Sequence, residues 1–462
     1  MILERMNPLF PAKSRRFLMM ISIFAGLLCL LFVRYSQDDT LKITWLFAMY
    51  ACAMFCIISY KNSLNKYEVS IFCFLTIQLL AVAPDNPNNL DPLVSTSYLL
   101  SYRYGVSSRG FMATLVDFFT NGKFISGDFV LHFIFSSTFF ISFVISVYLG
   151  AVIQSRKDDA RFFIILLSIL YLSCFTSPSA YYHQGNFGRV EIFALLVLFF
   201  IILIVDKPVI KWLIPFLAVI VLAIHLVLVF FYVPFIIVLL LYGMIKETKT
   251  NKRSVLLLIT TLTFILTAFL WYLLFGKGTF IFGNAGAFNE YLKTKSDLNF
   301  SESFLHMTMF ASLQDHLAGW KGNTGLLFVG NGSILINIPL ILLFVIFWAK
   351  CFLAETQKQM KLFFLTPILI LPYQALAFFM FFDFGRWMIM ILNIQFMLFF
   401  YLVYTENKTV LSTIQAITPF VKQKTFFVML GCLLMAFLGP VNPITASEKT
   451  THIFSLLKNL IM

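Results

Sequence analysis

Residues 211–246 read KWLIPFLAVIVLAIHLVLVFFYVPFIIVLLLYGMIK, one unbroken apolar run between Lys211 and Lys246. A helix crosses a bilayer with about 20 apolar residues, in a range of roughly 17–25, so this run is too long for one upright span. Basic residues mark cytoplasmic helix ends, and both flanks are basic. The run must therefore pass out and back as a tight hairpin. Its polar interruptions near the middle are His225 and the aromatic-proline stretch Phe231-Tyr232-Val233-Pro234.

Working outward, the same reading divides the chain into about thirteen apolar stretches. They are 17–33, 43–59, 69–83, 129–152, 162–176, 190–205, 212–226, 229–245, 254–275, 334–349, 362–381, 387–404 and 425–440. The expected fold class is all-α: a polytopic integral membrane protein forming a single membrane domain over 1–462, with two long outward loops, 84–128 and 276–333. Composition agrees, since 60% of residues are hydrophobic and 12% charged, against about 25% charged in soluble domains. The first apolar stretch follows Arg5, Lys13, Arg15 and Arg16 but precedes no small-residue cleavage site, so it reads as the first membrane helix.

With the N-terminus inside, most of the 34 Lys and Arg residues fall on cytoplasmic connectors, as the positive-inside rule requires. The +13 balance is explained that way, and no basic stretch is dense enough for a nucleic-acid arm. All six histidines (His132, His183, His225, His306, His316 and His452) fall outward, as do most of the acids. Any chemistry therefore faces out. The seven cysteines read as small core hydrophobes, none in an outward loop where disulfides would form. No Cys or His spacing suggests a metal, and no cofactor is expected.

Loops beyond about 12–15 residues usually carry function or are disordered, and neither outward loop has a disordered composition. In the first, Ser97-Tyr98-Leu99-Leu100 and Phe111-Met112-Ala113-Thr114-Leu115 are too short to span and read as interfacial helices. Charge at the membrane costs roughly 2.5–3.5 kcal/mol per residue on insertion scales and suggests function. Three clusters meet that test. Arg103 and Arg109 lie in Tyr102-Arg103-Tyr104-Gly105-Val106-Ser107-Ser108-Arg109-Gly110; their planar forks suit phosphate oxygens, whereas the bland alternative is snorkelling to headgroups. Arg189 and Glu191 open a membrane helix after His183-Gln184-Gly185-Asn186-Phe187-Gly188, where a carboxylate is also stabilised by the helix dipole. Asp383 and Arg386, in Phe382-Asp383-Phe384-Gly385-Arg386-Trp387, are spaced to pair if the turn is helical. His225 is an isolated polar group that suits structural hydrogen bonding as well as catalysis, and Asp315-His316 reads mainly as a solvated loop.

These arginine-bearing outer loops, with the many membrane helices, resemble the O-antigen and capsule repeat-unit polymerases of the Wzy type, a likeness of architecture along the whole chain. Such polymerases are similar in fold logic to the GT-C lipid-dependent glycosyltransferases. The resemblance implies a protein of the bacterial inner membrane that joins undecaprenyl-diphosphate-linked repeat units into polysaccharide without a metal. Its partners would be a polyprenyl-diphosphate-linked glycan, membrane lipid and a chain-length regulator protein. Arg103, Arg109, Arg189 and Arg386 would bind the diphosphate, stabilising the charge on the leaving group. Asp383, Glu191, His183 or His225 would take the acceptor proton. The alternatives are a GT-C enzyme adding a single sugar, for which Asp38-Asp39 is the candidate acidic pair, and a flippase, which predicts internal repeats that are not evident. An O-acyltransferase lacks its membrane-embedded His-centred motif.

Overall fold

The computed structural model describes residues 12–61, 63–174, 176–182, 186–246, 252–276, 281–310, 332–380 and 384–438. The helices are α1 (Ala12–Tyr35), α2 (Asp39–Lys61), α3 (Lys66–Val82), α4 (Pro92–Ser97), α5 (Gly110–Thr120), α6 (Gly127–Ser155), α7 (Ala160–Ser173), α8 (Glu191–Ile204), α9 (Ile214–Ile224) and α10 (Leu228–Lys246). They continue with α11 (Lys252–Phe275), α12 (Ala285–Lys295), α13 (Glu302–Met309), α14 (Gly332–Ala354), α15 (Lys358–Phe363), α16 (Thr366–Met380), α17 (Phe384–Tyr404), α18 (Lys408–Gln423) and α19 (Thr425–Leu438). The protein is all-α and polytopic in the membrane.

Each of the thirteen apolar stretches forms a helix, but among the described residues nine are long and apolar enough to cross a bilayer, or up to ten if one bent pair counts as a span. Hydropathy counts apolar residues and misses where the helix stops. Thus α8 is 14 residues long, about 21 Å at 1.5 Å per residue, short of a hydrocarbon core of about 30 Å. At the other end of the chain, α18 and α19 meet at 97°. The connector expected over 405–424 is therefore an amphipathic helix, with Val410, Ile414 and Val421 buried and Lys422 exposed.

The chain forms two compact units. The first comprises residues 1–155, 181–193 and 276–310. Its α1 and α2 make an antiparallel hairpin, with Phe32 stacked on Trp45 at 4.7 Å. Only 11% of the α2 window is buried, so this hairpin meets lipid through side chains such as Phe24, Leu31 and Phe55. Helix α6 is 67% buried over its window. Lipid removes most of the hydrophobic drive between helices, leaving close packing and polar contacts, and α6 supplies both. Its Ser137 meets the Tyr50 hydroxyl and its Ser142 the Tyr182 hydroxyl, each at 2.6 Å. At Gly150 an added Cβ would fall 2.2 Å from Glu68 Cγ, so only glycine admits the α3 start and its Lys61–Glu68 ion pair.

The two long segments of this unit dock on each other. Ile125 donates to the Lys295 carbonyl at 2.7 Å, and Ile125 and Ser296 form an isolated parallel β-bridge. Ser301 N donates to Thr96 Oγ1 at 2.9 Å, and Tyr104 packs on Phe288 and Tyr291. The interfacial helix expected at Phe111–Leu115 is the start of α5. Residues 97–100 are different. Ser97 ends α4, and Tyr98, Leu99 and Leu100 are buried outside any helix, with Tyr98 packed on Phe133 of α6 rather than facing a headgroup layer.

The second unit comprises residues 156–180, 194–275 and 311–462. In it the 211–246 run breaks at His225, whose extended backbone (φ −161°, ψ 119°) caps α9. Lys211 reaches Ser254, and Phe216 packs on Phe264. Helices α9 and α11 therefore run the same way, and α10 between them runs back. The centre of this unit is α17, with 94% of its window buried. It runs parallel to α10, since Trp387 stacks on Phe231 at one end and Tyr401 meets Tyr242 at the other. Helix α18 braces the end away from His225, where Lys422 pairs with Asp159 and Asn407 donates to Tyr242.

Candidate functional site

In the first unit the candidate site is built on the turn before α8. Arg189 N donates to the Asn186 carbonyl at 2.9 Å, and Gly188 takes φ +88°, with Ile134 Cδ1 only 2.7 Å from where a Cβ would lie. The Tyr98 hydroxyl donates to the Gly188 carbonyl at 2.6 Å. Burial, and then the Glu191 carboxylate, push this phenol well above its usual range, which keeps it a donor. The turn thereby delivers Arg189, 4% exposed, and Glu191, fully buried, into the interior.

Buried charge is stable only when partnered. Asp91 supplies one partner, its Oδ2 lying 4.0 Å from Arg189 Nη2. Its other oxygen accepts from Leu93 N at 2.7 Å, capping α4. The second long segment bonds this same short helix through Ser301 and Thr96. A path of direct contacts thus runs from the docked loops through α4 and Asp91 to Arg189. Asp91 remains 20% exposed at its side chain, whereas Glu191 is closed off.

The other arginines of this unit have different partners. The Arg109 guanidinium lies 4.8 Å from the centre of the Phe304 ring, which the second segment contributes. Arg103 lies 3.9 Å from Asp117 and donates to the Gly122 carbonyl at 3.4 Å. Arg103, Arg109 and Arg189 thus each meet a different partner, Asp117, Phe304 and Asp91.

In the second unit Arg386 and His225 share one aromatic partner. The Arg386 guanidinium carbon lies 4.6 Å over the Trp387 ring, and the His225 ring lies 6.4 Å from it. Phe231 stacks on Trp387 at 5.2 Å. Arg386 is 2% exposed and His225 5%. A guanidinium in the first turn of α17 stands at the positive end of the helix dipole, so both favour a nearby anion. Asp383 and His183 lie outside the described residues, as do Asp315 and His316.

Sequence reading missed Asp91 as a partner of Arg189, because the contact joins distant segments; the Asp-Pro helix start was its only local signal. It also missed the buried amides of the second unit. Gln395 accepts from Trp348 and donates to the Pro367 carbonyl, and Asn393 donates to the Thr176 carbonyl. Gln374 is fully buried, and its amide has no hydrogen-bond partner among the described residues.

Comparison with known family models, curated proteins and solved structures gives no match for this chain. What the arrangement can do rests on its own chemistry. Arg189 offers a fixed cation in a site of low dielectric, where it acts on developing negative charge more strongly than in water, and Asp91 offers a carboxylate beside it.

Proposed function

We propose that this protein polymerises lipid-linked oligosaccharide repeat units at the outer face of the bacterial inner membrane. Arg189 holds the diphosphate of the donor. The acceptor sugar hydroxyl attacks the donor's anomeric carbon, a new glycosidic C–O bond forms, and the bond to the diphosphate breaks. The lipid diphosphate leaves with the electron pair against the guanidinium. Asp91, the more open carboxylate, takes the hydroxyl proton, and Glu191 positions Arg189 as its buried counter-charge. Arg386 beside Trp387 is the corresponding anion-holding group of the second unit, with His225 near it.

The observation that carries this reading is the docking of two long segments into one body over the Asp91–Arg189 pair. A polymerase has to retain two glycans during each transfer, and extended outer segments braced on the reactive group suit that task. Positive-inside charge supports the outward orientation. The test is the surface glycan of a deletion strain. Glycan capped at one repeat unit on its carrier supports polymerisation, and chains of ordinary length refute it.

A further inference from the structure

The first unit holds a second cationic site that the proposed chemistry does not use. A cleft of about 320 Å³ is lined by Arg34, Arg103, Thr114, Asp117, Phe118, Asn121 and Gly122. Arg34 lies in the last turn of α1, the helix whose Leu28, Leu31 and Phe32 are exposed on its apolar surface. Its guanidinium lies 4.0 Å over the Phe118 ring and donates once to the Phe118 carbonyl, at 3.3 Å. Asn121 fixes the other side by donating to the Arg34 carbonyl at 2.5 Å. No carboxylate pairs with Arg34 among the described residues. Across the cleft Arg103 is half exposed, and Asp117 at 3.9 Å is the one carboxylate in the lining. Two guanidinium groups against one carboxylate leave the cleft with a net positive charge.

Gly122 makes the cleft possible. Its φ is +66°, and an added Cβ would fall 2.0 Å from Arg103 Nη1. The fork of Arg103 lies across the glycine, and any side chain there must displace it. Aromatic surface continues outward, with Phe118 45% and Phe124 50% exposed. A polar cleft at the end of a lipid-facing helix, bordered by exposed aromatic rings, has the character of a headgroup layer.

We infer that Arg34 and Arg103 form a binding site for the phosphate of a membrane lipid, whose chains lie along α1. The site does not depend on the polymerase reading, because it is read by lipid retention and not by glycan length. Guanidinium forks match phosphate oxygens in two-point contacts, and two forks with one carboxylate favour a phosphomonoester over a neutral headgroup.

The experiment is native mass spectrometry of the full-length protein in detergent, with phosphatidic acid and diacylglycerol of identical chains as probes. The wild type retains phosphatidic acid over diacylglycerol, and the double variant Arg34→Gln with Arg103→Gln lowers that retention about tenfold, the scale of a lost charge-assisted contact. Gly122→Ala, which keeps both charges and moves Arg103, lowers it as well. Undiminished retention in the double variant overturns the site. Retention unchanged in Gly122→Ala reduces it to unspecific charge and overturns the fork geometry. Complete displacement of the lipid by inorganic phosphate at equal concentration overturns the assignment to lipid.

Discussion

The Gly127 amide donates to a carboxylate oxygen of Asp297 at 2.7 Å, so the start of α6 and the segment after α12 are held by one charge-assisted bond. An added Cβ at Gly127 would also press on Pro87, at 2.9 Å. Asp297→Ala removes the acceptor and leaves the N–H of buried Gly127 without it, at a cost of about 1–3 kcal/mol. Hydrogen exchange at Ile125, whose amide donates to the Lys295 carbonyl, should accelerate about tenfold or more. Unchanged exchange there would mean that the segments dock without this bond.

Arg189 is the residue whose loss should cost most. Arg189→Ala removes the fixed cation and leaves Asp91 without it, so polymerisation should fall by about a hundredfold or more, the scale of a lost transition-state donor. Arg189→Lys keeps charge without the planar fork and should rescue poorly. Asp91→Asn keeps the α4 cap through its amide oxygen but removes the proposed base, and should lower activity with protein level unchanged. Blotting for protein alongside glycan length separates these effects. Full activity in Asp91→Asn would move the proton-accepting role to another group.

The pair of Arg386 and Trp387 makes a separate prediction for the second unit. A cation over an indole face is worth about 0.5–2 kcal/mol, so Trp387→Leu should loosen Arg386 and weaken activity severalfold while α17 persists. Arg386→Lys should behave worse than Trp387→Leu, because the stacked planar group is lost. Equal and full activity in both variants would leave Arg386 a structural residue.

Orientation is tested by cysteine labelling from each side of the membrane. Asn121 should be reached from outside, and Lys252 and Lys422 from the cytoplasm. Lys252 is the informative position, since the parallel course of α9 and α11 places their starts at one end of the unit. Outside access at Lys252 would reverse the hairpin at 211–246.

What could be read in advance followed local rules. The break in the 211–246 run was legible because a charge pattern bounds the run and His225 interrupts it, but its first limb, Ile210–Ile224, is shorter than the helices that can cross a bilayer. The amphipathic α18 had a readable periodicity in Val410, Ile414 and Val421, but its many polar residues made it look like a loop. The span count was harder, because hydropathy extends through turns. Helix α8 stops at Ile204, just ahead of Asp206-Lys207-Pro208. The arginines stood out as costly charges, yet their partners were illegible. Asp91, Phe304 and Asp117 meet Arg189, Arg109 and Arg103 only through tertiary packing.

The last prediction separates polymerisation from the addition of one sugar. The rival reading needs the acidic pair Asp38-Asp39 as its catalytic carboxylates. Here Asp38 oxygens accept from Thr40 N and Leu41 N, each at 3.3 Å, at the start of α2. Asp39 pairs with Lys42 at 2.8 Å. Both carboxylates are engaged at the beginning of one helix, so the double variant Asp38→Ala with Asp39→Ala should cost stability, about 0.5–2 kcal/mol for the lost cap. The glycan length distribution in the complemented deletion strain should stay near that of the wild type, whereas Arg189→Ala should leave single repeat units. The opposite pattern would sink the polymerase reading: glycan missing one side-branch sugar in the double aspartate variant, at unchanged protein level, with ordinary chain length in Arg189→Ala. The chemistry would then belong to the first outer turn and not to the group around Arg189.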